Sequence, residues 1–157
     1  MGKAAVFILA LALPAMLTTI PSGWGHAGAR TIHIRHDTGG DVALYRIKAQ
    51  VATDLGIEVV IDGLCASACT LLTGVPHGQV CVTGRARLHF HRARLTRPLE
   101  DGDALLRTVN DEMMDSYPPG IREWIRRHGG LTERMLEMPP AEVARHFRPC
   151  PGYSLGS

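Results

Sequence analysis

Hydrophobic positions change period several times along the chain, and each change marks an element. Over 31–36 polar and apolar residues alternate, with Ile32 and Ile34 set between Thr31, His33, Arg35 and His36, the period of a half-buried strand. The run enters Asp37-Thr38-Gly39-Gly40, where glycine allows backbone angles closed to other residues. Asp41 is placed to cap a helix whose apolar positions Val42, Ala43, Leu44, Ile47, Val51 and Leu55 recur at helical spacing up to the Gly56 stop. The β-branched run over 57–61 predicts a second strand, and Asp62-Gly63 a tight turn. From Leu64 to Leu72, small residues lead into a leucine-bearing helical turn. Two short strands are predicted over 79–83 and 86–91, separated by Gly84.

Further along, Asp101 or Asp103 is positioned to cap a helix carrying Leu105, Leu106, Val109, Met113 and Met114 on one face and closed by Tyr117-Pro118-Pro119. A short helix over 121–128 ends at Gly129-Gly130, and Pro139-Pro140-Ala141-Glu142 opens a last one running to Phe147. Met113, Met114 and Trp124 read as core. Strands alternating with helices predict an α/β domain with a mostly parallel sheet flanked by helices, whose site gathers at the carboxyl ends of the strands.

The first 29 residues follow a different rule. Lys3 precedes an apolar run from Ala4 to Ile20 interrupted by Pro14, and small residues end at Ala27-Gly28-Ala29. This is the outline of a signal peptide cleaved near Ala29, leaving a single exported domain over 30–157, periplasmic or extracellular. An uncleaved single-span anchor would expose the same domain in the same way.

Seventeen Lys plus Arg against fifteen Asp plus Glu leave a formal charge of +2, too little to make nucleic acid or an anionic membrane the default partner, and no nucleic-acid partner is expected. The four cysteines, Cys65, Cys69, Cys81 and Cys150, are an even number in an exported chain, which points to two disulfides in any of three pairings. Their spacing is not a standard zinc pattern, and no cofactor or metal is expected.

Candidate chemistry gathers at two places. Ser67 stands between Ala66 and Ala68 at a strand-to-helix transition, where a nucleophile needs small neighbours and the helix amides suit an oxyanion. A serine there also serves as a plain N-cap. His89 and His91 alternate on a strand and share a face, so that one of them can act as a base. The competing readings are a surface histidine pair or, with His33 and His36, a metal site. Arg92, Arg94 and Arg97 read as a solvated rim that could orient a carboxylate substrate.

The order strand, Gly-Gly turn, helix, strand, small-Ser-small, helix, strand, His resembles the proteolytic subunit of Clp protease within the Clp/crotonase superfamily, and more closely exported bacterial relatives with a C-x-S-A-C motif. The resemblance runs from Thr31 to Cys150 and implies repeated strand-strand-helix units. Asp37-Thr38-Gly39-Gly40-Asp41 matches the family's Ser-Pro-Gly-Gly segment, which implies an oxyanion donor at Gly39 or Gly40. Gly63-Leu64-Cys65-Ala66-Ser67-Ala68 matches the nucleophile segment, implying Ser67 as nucleophile and the Ala68 amide as second donor. Leu88-His89-Phe90-His91 matches the segment of the catalytic histidine, implying His91 as base. The helix from 103 to 117 resembles the family's handle helix.

The match departs at the third catalytic residue, where Met135 stands at the place of the triad aspartate. Either Glu137 or Glu133 serves His91 instead, or a Ser-His dyad operates, or the site is inert. The family register also implies a Cys81–Cys150 bridge, which leaves Cys65 with Cys69 across the nucleophile turn.

The resulting expectation is an exported, peptidase-like serine hydrolase acting on a peptide or ester, with no ATPase partner and with homo-oligomerisation open. The alternative is a non-catalytic periplasmic binding or assembly protein that retains the fold.

Overall fold

The computed structural model describes residues 30–152, so the signal-peptide segment over 1–29 lies outside the described residues. Six strands, β1 (Thr31–Asp37), β2 (Glu58–Ala66), β3 (Val80–Val82), β4 (Arg87–Phe90), β5 (Leu136–Met138) and β6 (Arg148–Pro149), form one curled, mostly parallel sheet. Four α-helices accompany them: α1 (Val42–Asp54), α2 (Gly102–Ser116), α3 (Pro119–Arg127) and α4 (Pro140–Val143). A 3₁₀ helix, Ser67–Gly74, follows β2.

Strand β2 organises the sheet. Along one edge it pairs with β1, and its other edge is divided between β3, opposite Val59 to Ile61, and β4, opposite Leu64 to Ala66. Among the described residues only the β4–β5 pair is antiparallel. A strand enclosed on both edges and both faces is apolar almost throughout, and Val59, Val60, Ile61, Cys65 and Ala66 are buried.

Asp62-Gly63 is not the turn expected from sequence; β2 runs through it. The polar Asp62 is tolerated inside because Thr83 and Arg85 satisfy its carboxylate. Gly63 is needed because a Cβ there would stand 2.0 Å from the Arg35 carbonyl oxygen, at the point where the β1–β2 register shifts.

The apolar stripe of α1 also turns out differently. Leu44, Ile47, Val51 and Leu55 are 44–60% exposed, whereas Tyr45 and Ala52 face the core. The smaller Ala49 and Ala52 let α1 pack onto the 3₁₀ helix, so the bulkier aliphatic face looks outward. Asp101 occupies the N-cap position of α2 in a left-handed conformation and makes no side-chain cap. Met113 and Trp124 are core residues, and Met114 is half-buried. Helix α4 stops at Val143 rather than Phe147, where the chain turns so that Arg148 and Pro149 can pair with β3.

Phe90 meets Tyr117 edge-to-face at 5.4 Å, joining β4 to the end of α2 in the main core. Disulfides join Cys65 to Cys69 and Cys81 to Cys150; the second ties β3 to the segment after β6. Among the described residues no helix is long and apolar enough to cross a membrane.

Candidate active site

Parallel pairing brings the carboxyl ends of β1, β2 and β4 to one end of the sheet. Asp37 closes β1 opposite Cys65, and Ala66 closes β2 opposite His89. Ser67, the residue after β2, has φ +56, a left-handed conformation that side chains other than glycine's seldom adopt. It is not the N-cap: that position belongs to Ala66, in extended conformation. Ser67 therefore opens the 3₁₀ helix from a strained backbone and is half-buried.

The turn is braced from several sides. Cys65 and Cys69 are bridged across it, both fully buried. The Thr70 hydroxyl donates to the Ser67 carbonyl at 2.6 Å. With that proton committed, the Tyr117 hydroxyl 2.8 Å away donates to Thr70. Burial pushes the Tyr117 phenol up to about 12, which keeps it a donor across the physiological range.

The glycine turn between β1 and α1 is pressed against the serine turn. A Cβ built on Gly39 would meet the Ala66 carbonyl oxygen at 2.6 Å, the Ala68 nitrogen at 2.7 Å and the Ser67 Cβ at 2.8 Å. Only glycine fits, and its φ of +84 is likewise a glycine conformation. Of the two amides considered as oxyanion donors, that of Gly39 is already engaged with the Asp37 carboxylate at 2.8 Å. Gly40 and Ala68 supply the remaining N–H groups; the latter lies in the first turn of its helix, where amides have no intrahelical acceptor.

His91 directly follows β4, one strand from Ser67. No hydrogen bond joins the two side chains; the His91 Nδ1 lies 2.6 Å from the Arg92 carbonyl oxygen. Because a carbonyl can only accept, Nδ1 carries the proton of the neutral ring and Nε2 keeps its lone pair.

Neither acid considered for His91 is hydrogen-bonded to it among the described residues. Glu137 is opposite His89 in the β4–β5 ladder, and Glu133 is paired with Arg92. The ladder ends at the Phe90–Leu136 pair; beyond it the Arg92 amide donates to the Thr132 carbonyl, out of the ladder's register, and Met135 is 46% exposed. His33 lies against Asp62 on the sheet rather than joining His89 and His91, and among the described residues no three His, Cys, Asp or Glu are grouped to hold a metal ion.

Tyr45 went unnoticed in the sequence. It is buried beneath the glycine turn, and its hydroxyl donates to Asp37. An aromatic with a polar tip, one helical turn after the Asp41 cap and off the aliphatic stripe, was the available signal.

The chain matches no protein-family model and no curated protein.

Proposed function

We propose that the chain is an exported, peptidase-like serine hydrolase of the Clp/crotonase type, with Ser67 as nucleophile and His91 as base. One observation carries this reading: Ser67 is held at φ +56 while a glycine turn packs against its backbone too closely for any side chain. A serine that only caps a helix needs neither feature, since capping residues are extended. Two disulfides support an oxidising compartment for the folded chain.

In the proposed reaction the Ser67 Oγ attacks the substrate carbonyl carbon and its proton passes to the His91 Nε2. The oxyanion takes hydrogen bonds from the Gly40 and Ala68 amides. The tetrahedral intermediate collapses, the bond to the leaving amine or alcohol breaks, and His91 returns the proton to that leaving group. Water then attacks the acyl-serine, giving a proton to His91. The acyl group departs as a carboxylic acid, and Ser67 recovers its proton.

The Nδ1 bond to the Arg92 carbonyl performs one task of a triad acid, holding the tautomer. A neutral carbonyl balances the imidazolium less well than a carboxylate does, so turnover is expected to be slow.

Other features favour a second reading. With Met135 where the resemblance puts the triad aspartate, and no Ser67–His91 hydrogen bond, the cleft would hold a peptide without cleaving it. A fluorophosphonate probe separates the two. Labelling of the folded, oxidised chain that disappears in Ser67→Ala and falls steeply in His91→Ala supports the hydrolase. A folded wild type that stays unlabelled rejects it in favour of a binding protein.

A further inference from the structure

Beside His91 the surface opens into a pocket of about 460 Å³ lined by Arg92, Leu131, Thr132, Glu133 and Arg134. Its wall meets the histidine at Arg92. The Arg92 carbonyl accepts from the His91 side chain at Nδ1, and the Arg92 amide donates to the Thr132 carbonyl at 2.8 Å. The backbone bond from Arg92 to Thr132 holds two of the lining residues together.

Its charges are unequal. Arg92 pairs with Glu133 through one terminal nitrogen, which leaves its remaining N–H groups available. Both partners are well exposed, so this pair is weak and easily shared with an incoming anion. Among the described residues Arg134 has no ion-pair partner. Two guanidinium groups against one carboxylate leave the pocket with an excess of one positive charge, over a floor in which Leu131 is half-buried. Planar guanidinium groups of this kind grip carboxylates in two-point hydrogen bonds. Arg94 and Arg97, grouped with Arg92 in the sequence as a solvated rim, do not line it.

We infer that this pocket binds a carboxylate of a peptide held at the site. The inference rests on the proposed function for the nature of the ligand, and its class is then a peptide with a free C-terminus, or one with an acidic side chain. Both present the same group to Arg134 and Arg92.

The test uses the full chain carrying Ser67→Ala, so that binding is read without turnover. Amide resonances are followed during titration with three acetylated alanine tripeptides: one with a free C-terminus, one amidated, and one amidated with glutamate as its last residue. The expected result is movement of the 131–134 amides, with the free acid or the glutamate peptide binding about tenfold more tightly than the neutral amide. Whichever of the two binds better identifies the source of the carboxylate. Arg134→Gln should remove most of that preference, whereas Arg127→Gln, the same charge change on α3, should leave it. Equal affinities across the series, no shifts at 131–134 at millimolar peptide, or a preference unaffected by Arg134→Gln overturns the inference. Fluorophosphonate labelling of the Ser67-containing chain is scored separately: labelling without a carboxylate preference refutes the pocket alone, and a preference without labelling refutes hydrolysis alone.

Discussion

The Tyr45 hydroxyl lies 2.6 and 2.7 Å from the two carboxylate oxygens of Asp37, the first of which also accepts the Gly39 amide at 2.8 Å. The helix that follows the glycine turn thus reaches back to secure the carboxylate that shapes it. Burial, followed by the neighbouring carboxylate, pushes the Tyr45 phenol up to about 12, so the donor survives at any working pH. By holding Gly39, the pair fixes the turn that precedes Gly40, the amide proposed as an oxyanion donor. Tyr45→Phe keeps the packing and removes only the hydroxyl. It should lower stability by about 1–2 kcal/mol in urea denaturation and slow fluorophosphonate labelling several-fold; unchanged labelling would show that the latch does not position the turn.

Ser67 offers a direct measure of backbone strain. In a left-handed conformation alanine is disfavoured relative to glycine by about 1 kcal/mol or more. Ser67→Gly should therefore be more stable than Ser67→Ala by roughly that amount, the reverse of the order at an ordinary helical position. Chemical denaturation of the two variants decides the matter, and neither should label.

Gly39 and Gly40 should respond differently to alanine. At Gly39 the added carbon would meet backbone atoms at 2.6 and 2.7 Å, and backbone cannot move aside without displacing the serine turn. Gly39→Ala is expected to cost about 2–4 kcal/mol and to abolish labelling. At Gly40 the nearest atom to an added Cβ is the Tyr45 Cε2 at 4.0 Å, so strain from its φ of +155 is the main penalty. Thermal midpoints of the two variants should differ clearly.

What could be read from the sequence was local. The alternation of 31–36 and the helical spacing after Asp41 predict β1 and α1 because period is a property of neighbouring residues. Which face of α1 is buried is not local: it depends on how closely Ala49 and Ala52 approach the 3₁₀ helix, and the aliphatic stripe gave the opposite answer. Asp62-Gly63 looked like a turn because the carboxylate's partners, Thr83 and Arg85, lie some twenty residues further on. At the candidate site, Ser67, His91 and the two glycines stand out as residue types in a pattern. The engagement of the Gly39 amide and the carbonyl partner of His91 are matters of hydrogen-bond geometry that no spacing encodes.

The two disulfides should separate stability from reactivity. Cys81 and Cys150 lie 69 residues apart, and closing a loop of that length is worth about 4 kcal/mol in the chain-entropy model. Cys65 and Cys69 are four apart, for which the same model gives only about 2 kcal/mol. Yet the smaller loop contains Ser67. Replacing Cys81 and Cys150 by alanine should lower the denaturation midpoint more while leaving labelling of the folded fraction largely intact. Replacing Cys65 and Cys69 should lower the midpoint less and remove most of the labelling. Equal loss of labelling in both variants would deny the short bridge any special part in presenting the serine.

Asp62 is expected to contribute to the acid limit of the fold. Its carboxylate is buried in β2, and hydrogen bonds from Arg85 are the foremost cause holding it below the usual carboxylate range, joined by one from Thr83 and by the charge of the Arg85 guanidinium, while desolvation opposes them. His33 Nε2 approaches the second oxygen at 3.4 Å. A carboxyl whose pKa is lower folded than unfolded binds more protons in the unfolded state, so its contribution is fully present above the unfolded value near 4 and is lost as pH falls through the folded value. Stability should therefore decline from about pH 5 downwards. Asp62→Asn should flatten that part of the profile while costing about 1–3 kcal/mol at neutral pH, where the Arg85 pairing is complete. Urea midpoints measured between pH 3 and 7 for both proteins test this; parallel profiles would assign the acid sensitivity to another carboxylate.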